Sequence, residues 1–395
     1  MRQLLKSGFL LSLVFFPVIL FADLPALPQP TLIIPAPPAI AAKSYILIDQ
    51  LSNYVLAEQD VDQRVEPASL TKIMTAYVVD HALKNGKLKL QDQVRVSNRA
   101  WKMEGSRMFL EPNTSITVEE LLQGIIIQSG NDASVAIAEH MAGSENGFAE
   151  FMNFYAKQLG MVSTHFVNST GLPDPNHYTT ARDMAILAKA IIRDFPNSYT
   201  QYSQKEFTFN KIKQSNRNRL LWRNNLVDGI KTGYTQSAGY CLVASGQKQG
   251  MRLIAVVMGA KSDVARIDET DKLLNYGFRF FESRKLYPAG TSLKKSRIWM
   301  GTTKDVNLGL AEDLYVTIGH GQYDRLKATI NIDKFIQAPA KEGTPLGTLA
   351  VQLDNKMIAE KPIVALNEIK KGGFLSRMFD HVAIGFQSLL DKVTP

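Results

Sequence analysis

Two kinds of hydrophobic spacing alternate along the chain and predict its secondary structure. Near the start, "SYILID" and "NYVLAEQD" flank a turn and are typical of a β-hairpin. Segments with apolar residues at helical spacing follow, and strand-like runs return in "DGIKTGYT", "AGYCLVASGQ" and "RLIAVVMGA". This order predicts an α/β domain in which strands from both ends form one antiparallel sheet flanked by helices. The predicted helices cover residues 70–84, 118–141, 146–159, 180–194 and 264–283.

The pattern changes near Pro288 and predicts a second domain. Short alternating strands such as "LYVTIG", "LKATINI" and "LAVQLD" are separated by Gly, Asp and Pro, which is typical of a small all-β domain. The predicted α/β domain therefore covers residues 42–287, and the β domain covers residues 288–371.

The last stretch, residues 372–395, is predicted as an amphipathic helix. Its polar residues fall on one side of a helical projection, where Ile384 is the exception. The stretch is terminal, follows a Lys-Lys-Gly-Gly hinge and presents aromatic residues. We therefore predict that it lies in a membrane interface rather than against its own β domain. The apolar side consists of Phe374, Leu375, Met378, Phe379, Val382, Phe386, Leu389, Leu390 and Val393.

The beginning of the chain predicts export. Arg2 and Lys6 precede the apolar run "FLLSLVFFPVILFA", which is too short to span a bilayer and is typical of a signal peptide over residues 1–22. Cleavage is predicted after Ala22, although Leu20 is larger than the usual residue at that position, and an uncleaved anchor is the alternative. A proline-rich lead-in over residues 23–41 follows and is predicted to be extended.

Composition changes this picture little. The 395 residues are 45% hydrophobic and 21% charged, as expected of a globular protein with two or three domains. The net charge of +8 falls to +6 without Arg2 and Lys6, which suits an acidic polymer or an anionic membrane surface, and no nucleic-acid motif is present. Cys241 is the only cysteine, so an intrachain disulfide is excluded, and its apolar surroundings predict an inert thiol.

A misplaced charge suggests chemistry in the first helix. Lys72 lies in the first turn of the apolar segment "PASLTKIMTAYVVDHAL", where the positive pole of the helix disfavours a cation. Ser69 is three residues earlier and shares its face. Burial would lower the pKa of Lys72 and allow its amine to take a proton from Ser69. The alternative is a capping serine and a lysine that reaches solvent, and Ser-x-x-Lys also begins at Ser245 and Ser292.

Two further short motifs follow in order. "QSGND" contains Ser129 and Asn131 and comes after an apolar helical segment, so it is predicted in a loop at the edge of the core. "KTGYT" contains Lys231 and Gly233 and begins a late hairpin. A glycine inside a strand often marks the close approach of a ligand or of another backbone. Each motif alone is weak; their order and spacing carry the information.

Ser-x-x-Lys, Ser-x-Asn and Lys-Thr-Gly in this order resemble the signature of active-site serine penicillin-recognising enzymes. The resemblance continues through "EPASLTKIMTAYV", "LLQGIIIQSGNDASVAIAEH", "DGIKTGYTQSAGYCLVASG" and "LLNYGFRFFE" and covers nearly all of residues 40–393. It is strongest to low-molecular-mass penicillin-binding proteins that act as D-alanyl-D-alanine carboxypeptidases. It implies a serine β-lactamase/transpeptidase-like fold, a following β domain, export, and peripheral anchoring at the periplasmic face of the cytoplasmic membrane by the terminal helix.

The resemblance also implies residue roles. Ser69 would attack the carbonyl between two D-alanines of a peptidoglycan stem peptide, Lys72 would be the general base, and Ser129 would relay a proton to the leaving amine. The backbone N–H groups of Ser69 and Tyr234 would form the oxyanion hole. β-Lactams are implied as covalent inhibitors, and no metal or cofactor is implied. The implied substrate-binding residues are Asn131, Lys231, Thr232, Gly233, Tyr234, Thr235 and Arg266.

Some of these assignments have alternatives. Asn131 would hold the substrate amide, and Thr232 and Thr235 would bind the terminal carboxylate beside the positive Lys231. Arg266 is either a second carboxylate clamp or a solvated surface arginine. Tyr234 stands where some relatives have histidine, which predicts altered deacylation or pH behaviour. His177, in "PNHYTTARD", is predicted to be a structural loop anchor.

Three other functions compete with carboxypeptidase activity. A class A β-lactamase would need a Glu-x-x-Leu-Asn motif between Ser129 and Lys231, and the sequence has none there. A D,D-endopeptidase that cuts peptidoglycan cross-links is the closer enzymatic alternative. A non-catalytic module that binds penicillin or peptidoglycan is the third, and the intact motif residues argue against it.

Overall fold

The computed structural model describes residues 34–393, with side chains described as far as residue 386. The predicted signal peptide and the part of the proline-rich lead-in up to residue 33 lie outside the described residues, as do residues 394–395. An α/β domain, a β domain and a terminal helix follow one another, as the sequence predicts.

The α/β domain is built around an antiparallel sheet. Its order is β2-β1-β9-β8-β7, so the early hairpin pairs with the last strand of the late group. The predicted sheet from both ends of the domain is therefore confirmed. The strands of the α/β domain are β1 (Ser44–Asp49), β2 (Val55–Gln59), β3 (Gln93–Arg95), β4 (Ser115–Thr117), β5 (Glu206–Phe209), β6 (Ile212–Ser215), β7 (Val227–Thr235), β8 (Gly239–Lys248) and β9 (Met251–Ala260).

Helices cover both faces of the sheet because its central strands are apolar on both sides. In β9, Ile254 and Val256 face one core, whereas Leu253 and Ala255 face the other. The first core is closed by α1, α4, α5 and α6, and the second by α8 and α9. The helices of this domain are α1 (Thr71–Lys84), α2 (Asn98–Trp101), α3 (Val118–Gln123), α4 (Asn131–Ala142), α5 (Glu145–Leu159), α6 (Ala181–Asp194), α7 (Pro196–Tyr199), α8 (Leu220–Arg223) and α9 (Asp263–Phe280).

The connection to the β domain differs from the sequence prediction in one respect. The helical pattern predicted a helix to residue 283, but α9 ends at Phe280 and the chain continues at once as a strand, β10 (Phe281–Tyr287). This strand pairs with β13 (Leu314–Gly319), which belongs to the core of the β domain. Pairing with a distant strand overrides the local helical pattern here.

The β domain is an antiparallel sheet with the order β11-β12-β16-β15-β14, packed against β13. Its core contains alternate residues of the long hairpin, including Leu349, Val351 and Ile363. The other strands are β11 (Lys294–Arg297), β12 (Asp305–Gly309), β14 (Leu326–Ile332), β15 (Pro345–Leu353) and β16 (Lys356–Ala365).

The terminal helix, α10 (Phe374–Val393), turns part of its polar side towards the β domain. Asp380 accepts a hydrogen bond from the backbone N–H of Met300 at 2.6 Å and lies 3.5 Å from Arg297. Ile384, the apolar exception on the polar side, lies one turn later and is partly buried. The apolar side is exposed, with Phe379 at 68% and Val382 at 69%. Among the helices described here, none is long and apolar enough to cross a membrane.

Candidate active site

Ser69 and Lys72 meet where a short 3-10 helix (Ala68–Leu70) runs into α1. Their side chains are neighbours, with 3.2 Å between Lys72 Nζ and Ser69 Oγ. Lys72 is only 1% exposed. Its amine also donates to Asn131 Oδ1 and to the backbone carbonyl of Thr170, each at 2.6 Å. The amine is therefore held between three acceptors and does not reach solvent, in contrast to the alternative of a snorkelling lysine.

The surroundings of Lys72 lower its basicity. Burial lowers the pKa of this amine to about 7, and the negative charges of Asp132 and then Glu145 act in the opposite direction. An amine with a pKa near 7 is substantially neutral at neutral pH and can accept the proton of a neighbouring hydroxyl. The geometry and the pKa together fit a serine–lysine nucleophile.

Two glycines allow the turn that carries Ser69 to pack closely against its neighbours. A Cβ atom on Gly171, whose φ is +82°, would lie 1.8 Å from the carbonyl oxygen of Ala68. A Cβ on Gly233 would lie 3.0 Å from the carbonyl oxygen of Pro67. Gly233 thus brings strand β7 against the backbone beside Ser69, which is the close approach expected from a glycine in this strand. Ala68 itself has a positive φ of 49°, a strained conformation that these contacts hold in place.

Ser129 lies at an interruption of the helical pattern. A π-helical turn (Gly124–Gln128) ends in Ser129, which has a left-handed backbone with φ of 67°, and α4 begins at Asn131. Such turns often occur at functional sites. Ser129 Oγ is buried, without a hydrogen-bond partner among the described residues, and Ser129 lines the same cleft as Ser69.

Asn131 has both ends of its side-chain amide engaged. Its oxygen accepts from Lys72, and its nitrogen donates to the carbonyl of Glu104 at 2.5 Å. The Asn131 side chain, which is predicted to hold the substrate amide, therefore also links α4 to Lys72, the predicted general base.

Lys231 and Thr232 are neighbours on β7, 2% and 5% exposed, and of the two only Thr232 lines the cleft. Lys231 donates to the carbonyl of Thr232 at 3.1 Å. Burial first, and then the positive charges of Lys72, Arg266 and Arg217, hold the pKa of Lys231 well below its usual range. Cations crowded in a buried site create the positive potential that an anionic ligand would relieve.

Arg266 is not a solvated surface arginine, because only 7% of it is exposed. It donates to the carbonyl of Gly233 at 3.0 Å and pairs with Asp263 on its own helix. Its guanidinium also lies over the ring of Tyr240, 5.5 Å from the centroid. Arg266 therefore faces the cleft and supports the strand that carries the Lys-Thr-Gly motif.

Residues of all three motifs line one cleft of ≈ 870 Å³, whereas Lys72 and Lys231 are buried and are not among its lining residues. Tyr234 is half exposed at its rim and packs on Tyr240. Thr235 donates to Glu66 at 3.1 Å, so its hydroxyl also fixes the end of β7. Within the described residues, no group of three or more His, Cys, Asp or Glu is arranged to hold a metal ion. The sequence-predicted residues that line the cleft are Ser69, Ser129, Asn131, Thr232, Gly233, Tyr234, Thr235 and Arg266.

His177 lies behind the nucleophile helix. Its Nδ1 accepts from the backbone N–H of Val167, so the proton lies on Nε2, which donates to Thr71 Oγ1 at 2.8 Å. Burial lowers the pKa of His177 to about 4, so the ring is neutral at physiological pH. These contacts fit a loop anchor, the role predicted from the sequence. Cys241 is fully buried, and burial raises the pKa of its thiol to about 11, as expected of an inert cysteine.

Sequence reasoning missed several residues around Lys72. Asp132 accepts hydrogen bonds from the backbone N–H groups of Met108, Phe109 and Leu110 and shapes one wall of the cleft. Its place directly after the Ser-Gly-Asn motif could have drawn attention to it. Thr170 acts through its carbonyl and Glu145 through a loop, and neither leaves a signal in the sequence.

Most of the chain matches proteins of one known family. Residues 32–262, which contain all three motifs, match the profile of peptidase family S11, described as D-alanyl-D-alanine carboxypeptidase. The chain belongs to the D-alanyl-D-alanine carboxypeptidase family. Residues 281–371 match a second profile, the C-terminal domain of penicillin-binding protein 5, and this match begins at the first residue of β10.

Individual members of the D-alanyl-D-alanine carboxypeptidase family match over nearly their full length. D-alanyl-D-alanine carboxypeptidase DacC of Escherichia coli is 47% identical over 357 residues, which is 88% of this chain and 89% of DacC. The crystal structure of penicillin-binding protein 5 from Haemophilus influenzae superposes with a TM-score of 0.82 at 45% identity, covering 85% of this chain and 99% of that one. Penicillin-binding protein D2 of Listeria monocytogenes, solved in an ampicillin-bound form, is 28% identical with a TM-score of 0.56 over 60% of this chain and 98% of that one.

These matches confirm the predicted family, fold class and enzyme class. The chain is a low-molecular-mass penicillin-binding protein of the carboxypeptidase type, a serine D-Ala-D-Ala carboxypeptidase. Peptidoglycan as the substrate polymer and covalent binding of β-lactams are consistent with this membership.

Proposed function

We propose that Ser69 and Lys72 form the catalytic pair of this carboxypeptidase. The observation that carries the proposal is the 3.2 Å contact between Ser69 Oγ and the buried amine of Lys72, whose pKa is about 7. The neutral amine accepts the hydroxyl proton while Ser69 Oγ attacks the carbonyl carbon between the two terminal D-alanines. The C–N bond then breaks, the last D-alanine leaves as an amine, and Ser69 carries the acyl group until water hydrolyses the ester.

The leaving amine needs a proton, and Ser129 relays it. Ser129 lines the cleft that contains Ser69, and its buried hydroxyl has no hydrogen-bond partner among the described residues. Lys72 has gained a proton in the first step and is the source of the proton that is relayed. Proton transfer from Lys72 through Ser129 to the departing nitrogen returns Lys72 to its neutral form.

The negative oxygen that develops on the attacked carbonyl is stabilised by two backbone N–H groups, those of Ser69 and Tyr234. Both belong to segments that Gly233 brings into contact. Preorganised donors of this kind supply roughly 3–4 kcal/mol of transition-state stabilisation each. Only the backbone of Tyr234 takes part, so a tyrosine at this position is compatible with catalysis.

The free carboxylate of the substrate binds at the positive end of the cleft. Arg266 supplies positive charge and Thr232 a hydroxyl at the cleft, and a bound carboxylate favours the protonated form of the buried Lys231 on β7. The terminal D-alanine of a pentapeptide presents such a carboxylate directly beside the amide that is cleaved. Asn131 and Thr235 bind the substrate through side chains that are also engaged with the protein.

Mass spectrometry of reaction products tests the substrate preference. The signal-processed protein is incubated with a pentapeptide that ends in D-Ala-D-Ala and, separately, with a cross-linked peptide dimer. A tetrapeptide and free D-alanine from the first, with an intact dimer in the second, are expected. Efficient conversion of the dimer to monomers would favour the endopeptidase alternative.

The protein is exported and held at the outer face of the cytoplasmic membrane by α10. The apolar side of this helix is exposed along Phe374, Phe379, Val382 and Phe386, while Asp380 on the other side is bound to the β domain. Burying each of these large side chains in a membrane interface contributes roughly 1.5–3 kcal/mol before costs. A polar opposite side limits the attachment to reversible, interfacial binding.

Removing residues 374–395 should release the signal-processed protein from liposomes without loss of activity on soluble peptide. The reason is that the catalytic cleft lies entirely within the α/β domain. Sedimentation with anionic liposomes and peptide hydrolysis are measured on the same preparations. Val382→Asp on the apolar side should also weaken sedimentation, whereas the matched change Ser376→Asp on the other side should leave most binding intact. A truncated protein that still sediments would refute the anchor.

A further inference from the structure

Glu145 is a buried carboxylate outside the three motifs. It is the first residue of α5, with only 5% of its side chain exposed, and the positive pole of that helix favours its negative charge. Both carboxylate oxygens are bound. Oε2 accepts from Arg99 at 2.5 Å, and Oε1 accepts from the backbone N–H and the hydroxyl of Ser169 at 3.0 and 2.8 Å.

The segment that Glu145 holds contacts the nucleophile helix through its backbone carbonyls. The carbonyl of Ser169 accepts from Thr75 Oγ1 at 2.7 Å, and the carbonyl of Thr170 accepts from Lys72 Nζ at 2.6 Å. Lys72 and Thr75 are three residues apart and share one face of α1. Glu145 therefore sits at one end of a short chain of hydrogen bonds whose other end is the amine of Lys72.

Glu145 also acts on Lys72 through its charge. The charged or titratable groups around that amine are Asp132 on α4, Glu145 on α5, Lys231 on β7 and His177. The two carboxylates raise the pKa of Lys72 against the effect of burial. Removing either negative charge would let the pKa of Lys72 fall further.

Arg99 lies near two carboxylates, and only Glu145 also binds Ser169. Half of the Arg99 side chain is exposed, and it lies within 4.0 Å of a second carboxylate, Glu139. Glu139 accepts from Ser97 at 2.6 Å and, among the described residues, forms no hydrogen bond with Ser169 or Thr170, so it shares the arginine but not the path to Lys72.

We propose that Glu145 is a positioning residue for catalysis, which holds Ser169 and Thr170 against α1 and thereby fixes the Lys72 amine beside Ser69. The proposal rests on the catalytic roles proposed for Ser69 and Lys72. Glu145 does not touch the reacting atoms; it acts through the Thr170 carbonyl and through its charge.

The test compares two substitutions of Glu145, one that removes its charge and one that shortens its side chain. The second-order rate of acylation by a fluorescent penicillin is measured against pH for the wild type, Glu145→Gln and Glu145→Asp, with melting curves alongside. Glutamine keeps the length and an acceptor but removes the charge, so the acid limb of the profile should move to lower pH by roughly half a unit to one unit. Aspartate keeps the charge but is too short to hold Ser169, so the plateau rate should fall roughly 10–100-fold.

Glu139→Gln is the matched control, because it removes a carboxylate from the same arginine. Its acid limb and plateau should be those of the wild type. A Glu145 variant whose acylation rate has the same acid limb and plateau against pH as the wild type would overturn the proposal. A Glu139→Gln variant that behaves like Glu145→Gln would also overturn it. A residue needed only for folding would lower the melting temperature without moving the limb.

A further variant and a measurement on the wild type complete the test. If the Glu145 variants do not fold, Ser169→Ala removes only one of the contacts to Glu145 and should still lower the plateau roughly 3–10-fold. An unchanged rate in that variant would overturn the proposal. Failure of the catalytic assignment itself would be seen separately, as absence of labelling at Ser69 in the wild type.

Discussion

Ser69→Ala should abolish both hydrolysis of a D-Ala-D-Ala peptide and covalent labelling by penicillin. Both reactions pass through an ester on Ser69 Oγ, and alanine has no atom that could form it. The Lys72 amine and the remaining cleft stay in place, because the turn is held by the packing of Gly171 and Gly233 rather than by the hydroxyl. The variant should therefore keep a wild-type melting temperature while its labelling falls to background.

The chain provides its own controls for this experiment. Ser292 begins a second Ser-x-x-Lys sequence, but it is exposed on the β domain and is not among the residues that line the cleft. Ser245 begins a third, but it is fully buried and accepts a hydrogen bond from Arg252 at 2.8 Å. Ser292→Ala should be labelled like the wild type. Labelling that persists in Ser69→Ala, or that maps to Ser245 or Ser292, would contradict the assignment.

The sequence predicts the part of the site that is local in the chain. Ser69 and Lys72 are neighbours because residues three apart share a helical face, and the structure has them 3.2 Å apart. The strands of the sheet are also marked locally, by apolar runs at both ends of the domain. Gly233 was expected to mark the close approach of a ligand or of another backbone, and in the structure the backbone of Pro67 lies close to it.

The long-range contacts of the site could not be predicted from the spacing of residues in the sequence. Ser129 is brought to Ser69 by the fold, and only the resemblance to a known family linked them before the structure did. The acceptor at Thr170 is a backbone carbonyl, which every residue type has, so no letter in the sequence marks it. Glu145 looks like any acid in the first turn of a helix, and only the structure joins it to Ser169.

The terminal helix shows how an exception in a pattern can be informative. Ile384 breaks the polar side of the predicted helix, and a pattern alone would count it as noise. In the structure it lies on the side of Asp380, which is bound to the β domain, and it is partly buried there. The polar side therefore contacts protein in part, and this leaves the apolar side free for another partner.

Lys72→Ala should leave a folded protein whose acylation rate is lower by roughly 10⁴- to 10⁶-fold, the scale seen when one member of a nucleophile–base unit is removed. Without the amine, Ser69 keeps its ordinary hydroxyl pKa and is a poor nucleophile at neutral pH. Some stability is also lost, because Asn131 and Thr170 each lose a donor in a buried place. Lys295→Ala, in the Ser-x-x-Lys sequence of the β domain, is the control and should acylate normally.

The acylation rate of the wild type should depend on pH through the protonation of Lys72. Lys72 has a pKa lowered to about 7, so below that pH its amine is protonated and cannot accept the proton of Ser69. Acylation should therefore rise with pH through about 7 and level off above it, and this limb should be missing from the residual rate of Lys72→Ala. His177, with a pKa of about 4, titrates too low to cause this limb.

Asp80, a buried acid on the same helix as Lys72, has a pKa raised to about 7 by burial and titrates in the same range as Lys72. Asp80→Asn should keep the limb, and its disappearance in that variant would show that Asp80, not Lys72, controls the rate.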